Sequence, residues 1–362
     1  MTSVSISSSA AAPLMPPDYE QTGDMLDRLM TLDIKRRGAV GVLYEAAHRQ
    51  AGQSLTMQAA SALQERVAKG STVVLCTGFP VRPWVSPDIG ETDGPPGVAA
   101  LARAICTGLE GTVLVTAPAA MRPQVSAALQ ASGVLVLDEG AVSRATQGAR
   151  PTCAAAIIDF PTNATEAAIV AERLIRVHRP AVVAAIEHPG ANRSGVYHSS
   201  TGVDISVGAA KVEALFDRAA ANGILTMSFI DMPNEIGVAG ISEGAQAASP
   251  FALECGCPCH GGTAGATKVD VLVVGTTANW AAYGTVAALC VLRGDLSLAV
   301  TREHDRRAIE ASQQAGALEG VSGSVWPAAG VDGVPSTVSG HIVDLLWHVA
   351  QDALTDGIRG PF

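Results

Sequence analysis

Eight short runs of Val, Leu, Ile and Ala recur along this chain, and they constrain its fold more than any other feature. They are Thr72–Thr77, Thr112–Thr116, Val134–Leu137, Ala155–Asp159, Ala181–Ile186, Gly223–Phe229, Val269–Val274 and Leu296–Val300. Apolar residues follow one another with little alternation, so a strand made from such a run must be buried on both faces. Helically spaced stretches lie between the runs, among them Val98–Cys106, Thr165–Val177, Lys211–Ala220 and Arg306–Ala315. The alternation predicts an α/β fold with a mostly parallel, doubly wound sheet and helices on both faces. Upstream, Asp24–His48 reads as helix broken at Arg36-Arg37-Gly38, and Leu55–Lys69 as a second helix stopped by Gly70. These N-terminal helices are expected at the side of the sheet.

With 362 residues, of which 4% are aromatic, the core must be built mainly from small aliphatic side chains. The net charge of −10, without a long Lys/Arg block, argues against nucleic acid and anionic membranes as partners. The partner expected is a small-molecule substrate, with homo-oligomerisation left open. Residues 1–20 are rich in Ser, Ala and Pro and carry neither a basic n-region nor a long apolar stretch. They read as a floppy tail ahead of one α/β domain over residues 21–362, with the cytoplasm as the expected location. The uncharged stretch Val271–Leu292 is long enough to raise the question of a membrane span. Gly275, Thr276, Thr277, Asn279 and Gly284 inside it favour a buried strand, a turn and the start of a buried helix.

Ligands of such sheets bind at the carboxyl ends of the strands, and the loops there carry the chemistry. Glu91-Thr-Asp-Gly-Pro-Pro-Gly97 sets two carboxylates on a stiff frame, fit for a cation or an amine, or simply for opening a helix. Glu187-His188 and the following Asn192 to His198 gather an acid, imidazoles, a guanidinium and a phenol. Glu187 is a candidate general base or metal ligand, and Arg193 a candidate bidentate clamp for a carboxylate. Asp231, Asn234 and Glu235 offer the oxygen set of a hard cation, or Asp231 caps a helix. Asn279 orients a substrate or caps the helix it opens. Cys255-Gly-Cys-Pro-Cys-His260 invites a zinc reading. Its spacing is not that of paired C-x₂-C sites, however, and alternate thiols on a short loop are not expected to converge. The remaining thiols, Cys76, Cys106, Cys153 and Cys290, are scattered and read as reduced. No G-x-G-x-x-G after a strand, P-loop or G-x-S-x-G elbow is present, so no nucleotide cofactor and no serine hydrolase is expected.

Together the loops resemble the D-glutamate cyclase family. The resemblance runs collinearly from about residue 24 through Asp33–Gly38, Cys76–Pro80, Glu91–Gly97, Ile186-Glu187, Gly202–Ile205, Asn234–Gly237, Asn279-Trp280, Gly320–Gly323 and Val331–Gly333. It implies a lyase that dehydrates D-glutamate to 5-oxo-D-proline. Glu187, Asp231 and Glu235 are then the catalytic candidates. Glu91, Thr92, Asp93, Arg193, Tyr197, Asn234 and Asn279 are the substrate contacts, and Glu91, Asp93 and Asp231 the ligands of a divalent Mg or Mn ion. The chain departs from the family at Met232 and Pro233, where glycines are usual, at His188, where Arg is usual, at Ser194–Tyr197, and in its Cys-rich loop, which looks like an insertion. These departures leave open a hydrolase that opens a related lactam, cyclic imide or cyclic urea, or a binding relative without chemistry.

Overall fold

The computed structural model describes residues 18–326, 328 and 330–355. Seven strands form one sheet: β1 (Thr72–Cys76), β2 (Thr112–Ala117), β3 (Leu135–Leu137), β4 (Ala154–Asp159), β5 (Val182–Ile186), β6 (Leu225–Ile230) and β7 (Val271–Val274). Their order is β3-β4-β2-β1-β5-β6-β7, and every neighbouring pair is parallel. The helices are α1 (Tyr19–Met30), α2 (Ala39–Ala51), α3 (Leu55–Arg66), α4 (Pro95–Gly108), α5 (Arg122–Ala131), α6 (Glu139–Gln147), α7 (Ala164–His178), α8 (Glu213–Ala221), α9 (Ser242–Ala248), α10 (Ala278–Arg293), α11 (Arg302–Gln314) and α12 (Ser336–Thr355).

Successive strand side chains point to opposite faces, and here they feed two separate cores. In β1, Val73 and Leu75 pack with α1–α5 and α9–α12, while Val74 and Cys76 pack with α6, α7 and α8. Both faces are thus covered, which is why the runs are continuous rather than alternating. The stretch Val271–Leu292 resolves into β7, a turn and most of α10. Among the described residues no helix is long and apolar enough to cross a membrane.

Two expectations are corrected. The eighth run, Leu296–Val300, is not a strand. Asp295 accepts the Ser297 N–H at 2.9 Å and starts a 3-10 turn over Leu296–Leu298. Arg103 of α4 then takes the carbonyls of Ser297 and Leu298 at 2.6 and 2.9 Å, so the segment has no free edge to offer a sheet. The floppy tail was drawn to residue 20, but Asp18 caps α1 by accepting the Gln21 N–H at 2.9 Å. The rest of that expectation, residues 1–17, lies outside the described residues.

The break between α1 and α2 is longer than a helix kink. Asp33 accepts the N–H groups of Arg37 and Gly38 at 3.0 and 2.7 Å, and Gly38 sits at φ +75°, where glycine is favoured. Thr276, beyond β7, holds this loop by donating to the carbonyls of Met30 and Leu32 at 2.8 and 2.9 Å. Lys35 and Arg37 are thereby carried to the carboxyl edge of the sheet.

Candidate active site

At the centre of the sheet the chain leaves β1 toward β2 and leaves β5 toward β6, in opposite directions. The loops beyond β1 and β5 therefore part, and the crevice between them is the natural ligand site of the fold. Glu91 and Asp93 come from the first loop, Glu187 from the second, and Asp231, Asn234 and Glu235 from the loop after β6. All six are buried.

Glu187 is the first residue beyond β5 and takes φ +46°. A non-glycine residue in this region is strained, commonly by about 1–2 kcal/mol. Its Oε2 atom is buried without a hydrogen-bond partner, as are Asp231 Oδ2 and Glu235 Oε2. Glu187, Asp231 and Glu235 each present one oxygen within 4.8 Å of the others. Asp93, Asp231 and Asp332 form a second such group, so Asp231 belongs to both. Glu91, expected among the ion's ligands, belongs to neither group, although it lines the same cavity. Asp332 takes its place, brought in by a turn closed between Val331 and Val334.

Asp231 does not cap a helix. Glu235 Oε1 instead accepts the Asp231 and Met232 N–H groups, both at 2.8 Å, and the segment turns without becoming helical. Nor does Asn279 cap its own helix, because Thr277 does that by accepting the Trp280 N–H at 3.1 Å. Asn279 reaches across to α4. Its Oδ1 accepts the Gly94 and Gly97 N–H groups at 3.1 and 2.7 Å, and its Nδ2 donates to the Thr92 carbonyl at 3.3 Å. Asp93 returns the exchange by accepting the Ala278 and Asn279 N–H groups, both at 2.8 Å. Two buried helix N-termini, with orphan donors to satisfy, thus cap each other crosswise. Thr92 completes the frame through its hydroxyl, which donates to the Gly330 carbonyl at 2.9 Å.

Burial first, then the neighbouring carboxylates, raises the proton affinity of Glu91, Glu187 and Asp231 well above the usual range. Burial does the same at Glu235 against the pull of its two N–H donors. Asp93 is pushed up to about 7 by burial and by Asp332, opposed by the N–H groups it accepts. Asp332 alone is held low. Burial pushes it up, but Lys35, Asp231 and Arg37 together outweigh burial. Lys35 Nζ lies 3.6 Å from Asp332, and Arg37 Nη1 lies 3.3 Å from Asp332 and 3.6 Å from Asp231. Six acids face these two cations, so the site must hold protons or a bound cation to remain buried.

Glu91, Glu187, Asp231 and Asp332 form the floor of a cavity of about 620 Å³. Its walls include Phe79, Arg82, Trp84, Ser199, Thr201, Met232, Phe251 and Val321. Arg193 is exposed and does not line it, and the guanidinium beside the acids is Arg37. Tyr197 turns away. Its hydroxyl donates to Glu213, and Lys211 Nζ lies 3.9 Å from the centre of its ring. His188 does not restore the charge of the family's Arg. Burial pushes its imidazole down to about 4, against a hydrogen bond to the Pro189 carbonyl, so it is neutral. Neither Met232 nor Pro233 needs a left-handed backbone, which explains how glycine can be absent there.

Sequence reasoning assigned no chemistry to Lys35, Arg37 or Asp332. Their signal was present, since Asp33–Gly38 and Val331–Gly333 carry part of the family resemblance. But Arg37 lay in what read as a helix break, and Asp332 in an unremarked turn.

The Cys-rich loop differs from expectation too. Residues 251–260 form successive turns, so alternate thiols need not point apart. The Sγ atoms of Cys255, Cys257 and Cys259 lie 3.2–3.5 Å from one another. His198, not His260, completes the group, with Nε2 3.2 Å from Cys257 Sγ. The molecule therefore holds buried acid groups and a thiol–imidazole group that could each hold a metal.

Fold and cavity define an α/β protein with an acid-floored cavity at the switch point of a parallel sheet. The family described as D-glutamate cyclase-like, C-terminal, matches residues 26–347, and the chain belongs to that family. Comparison with curated proteins gives no match.

Proposed function

We propose that this protein is a lyase that makes or opens a small lactam, with D-glutamate and 5-oxo-D-proline as the reference pair. One observation carries the reading: Glu187 and Asp231, buried carboxylates of raised proton affinity grouped with Glu235, lie at the floor of a small-molecule cavity, and Glu187 and Glu235 each keep one buried oxygen without a partner. Lactam formation needs an acceptor that takes a proton from the substrate ammonium. It also needs an acid that gives one to the departing oxygen. Glu187 serves as the acceptor, since its free oxygen faces the cluster. A protonated Asp231 or Glu235 serves as the donor. The C–N bond forms and the C–O bond breaks. The nitrogen gives up two protons, one to Glu187 before it attacks and one from the tetrahedral adduct, and the departing oxygen gains two through Asp231 or Glu235, so it leaves as water and the acids end as they began. Opening is the same path reversed.

Arg82 lines the cavity and forms no ion pair among the described residues. It is our choice for the substrate carboxylate, whereas Arg37 is engaged by Asp231 and Asp332. The unpartnered oxygens and the surplus of acids fit a divalent Mg or Mn ion held by Asp231 with Asp93 and Asp332, or with Glu187 and Glu235. Such an ion supplies Lewis-acid stabilisation of the oxyanion that develops at the attacked carbon.

A second reading, hydrolysis of a neutral cyclic amide, imide or urea, is favoured by the Met232 side chain in the cavity wall. Both readings are tested by incubating the protein with D- and L-glutamate, 5-oxo-D-proline and a panel of small lactams, imides and cyclic ureas. Each is run with Mg²⁺, Mn²⁺ or chelator, and products are read by mass. Turnover of D-glutamate or its lactam supports the first reading, and turnover of neutral rings alone supports the second. No turnover of any compound with either ion leaves a binding protein and overturns both.

A further inference from the structure

We propose that Cys255, Cys257, Cys259 and His198 bind one zinc ion, and that this ion fastens the inserted Cys-rich loop to the wall of the cavity. The site is separate from the acid cluster, in place and in chemistry. Three thiols and an imidazole are the soft and borderline donors that select zinc, whereas Mg²⁺ and Mn²⁺ prefer the oxygen donors of the acids.

The geometry fits a single ion. In a zinc tetrahedron with Zn–S bonds of about 2.3 Å, sulfur atoms stand about 3.8 Å apart. The three Sγ atoms here lie 3.2, 3.3 and 3.5 Å apart, and His198 Nε2 lies 3.2 and 3.6 Å from two of them. An outward shift of about 0.2 Å per ligand reaches bonding distance. All four donor atoms lie within 4.8 Å of one another, which suits one ion and is too compact for the outer ligands of a two-iron cluster. The cysteines are free, and their separations are well beyond a disulfide of about 2.05 Å.

The surroundings support the same assignment. Thiolates bound to zinc are steadied by N–H donors, and such donors are already in place. Gly261 N–H points to Cys259 Sγ at 3.4 Å, Cys259 N–H to Cys257 Sγ at 3.5 Å, and Asn192 Nδ2 to Cys259 Sγ at 3.5 Å. Asn192 also donates to the Gly262 carbonyl at 2.7 Å and accepts the Ser194 and Val196 N–H groups at 2.9 and 3.0 Å. One side chain thus orders both the strand of loop that presents His198 and the loop that presents the thiols. His198 is fully buried and Cys255 nearly so, at 0% and 2% exposure. Four protein ligands leave no open position, the mark of a structural rather than a catalytic zinc site.

Its role follows from what it joins. The backbone carbonyl of His198 accepts from Asn234 Nδ2 at 2.9 Å, and Asn234 lines the cavity beside Asp231. Ser199 and Thr201, just beyond His198, and Phe251, just before Cys255, line the same cavity. An ion bridging position 198 to positions 255, 257 and 259 therefore pins two loops of one wall.

The test uses the full chain purified under reducing conditions. The expected result is about one equivalent of zinc by elemental analysis, retained through dialysis against a mild chelator. Cobalt exchanged into the protein should show thiolate-to-metal charge-transfer bands and the intense visible bands of a tetrahedral site. Cys257→Ser and His198→Ala should each lose the metal or shift those bands, whereas His260→Ala, which changes an exposed neighbour, should keep both. Should either of the first two variants fail to fold, the cobalt spectrum of the unaltered chain decides. A cobalt spectrum without thiolate bands places the metal elsewhere and overturns the proposal. So does a reduced protein that takes up no zinc on titration, and so does zinc retained unchanged in both Cys257→Ser and His198→Ala.

Discussion

Replacing Glu187 by Gln should make the metal-free protein more stable and at the same time abolish its activity. Glu187 is 4% exposed and has one oxygen without a partner. Its carboxylate lies with those of Asp231 and Glu235 inside a 4.8 Å group. At that separation two ionised carboxylates repel by about 3.5 kcal/mol at an effective dielectric of about 20. A group that protonates instead is limited by its proton affinity. Burial and the neighbouring acids raise the proton affinity of Glu187 in the fold, so the fold retains a proton that the unfolded chain releases as pH rises, and that costs stability. Gln keeps the shape and removes the charge, but it introduces an amide that needs a partner of its own, at about 1–3 kcal/mol. The net expectation is a gain of about 2 kcal/mol at pH 8.

The sign against pH follows from the raised proton affinity of Glu187 in the folded state. Below the unfolded value both states bind the proton and there is no penalty. As pH rises above about 4.3 the folded state holds a proton that the unfolded state releases, and stability is progressively lost. The advantage of Glu187→Gln should therefore vanish near pH 4 and grow toward pH 8. Urea unfolding in chelator at pH 4.5, 6 and 8 measures it. Saturating Mn²⁺ should narrow the gap, because the ion binds the original site better than the variant. If Glu187→Gln is less stable than the original by 1 kcal/mol or more in chelator at pH 8, the carboxylate is a net stabilising group and the charge argument fails.

Four further outcomes are expected. Asn279→Ala strips the acceptor from the buried Gly97 N–H of α4 and one of two from the Gly94 N–H before it, which keeps Asp93 Oδ1 at 3.0 Å, so unfolding should show a loss of about 1–3 kcal/mol. Arg37→Ala leaves Asp231 without its cation and Asp332 with Lys35 alone. Its stability loss, about 3 kcal/mol, should be largest at high pH, and Arg193→Ala at an exposed position should change stability by less than about 0.5 kcal/mol. Asp27→Ala removes the acceptor for the Leu55 and Thr56 N–H groups, at 2.7 and 3.0 Å. Thermal unfolding should show a loss of about 2–4 kcal/mol, because α1 and the start of α3 are joined there.

The strands were legible because a parallel sheet covered on both faces writes its own signature, and seven of the eight apolar runs are strands. Leu296–Val300 looked the same in one dimension. What it lacked was a free backbone edge, since Arg103, distant in sequence, takes its carbonyls. Glu91, Asp93, Glu187, Asp231 and Glu235 were recognisable because strand ends in such folds lie on one edge whatever the order of the strands.

The sequence by itself determined the alternation of strands and helices, the family, and which loops hold acids. Tertiary structure alone decided what each acid does. Asp93 and Asn279 cap each other's helices across 186 positions of chain, and no local spacing encodes such an exchange. Arg37 and Asp332 meet across 295 positions, and His198 meets Cys257 across 59. Local propensity and periodicity extend over a few turns or one strand. Charge pairing, ligand sets and crosswise caps are formed by chain closure over far longer separations, so they exist only once the sheet has brought its loops together.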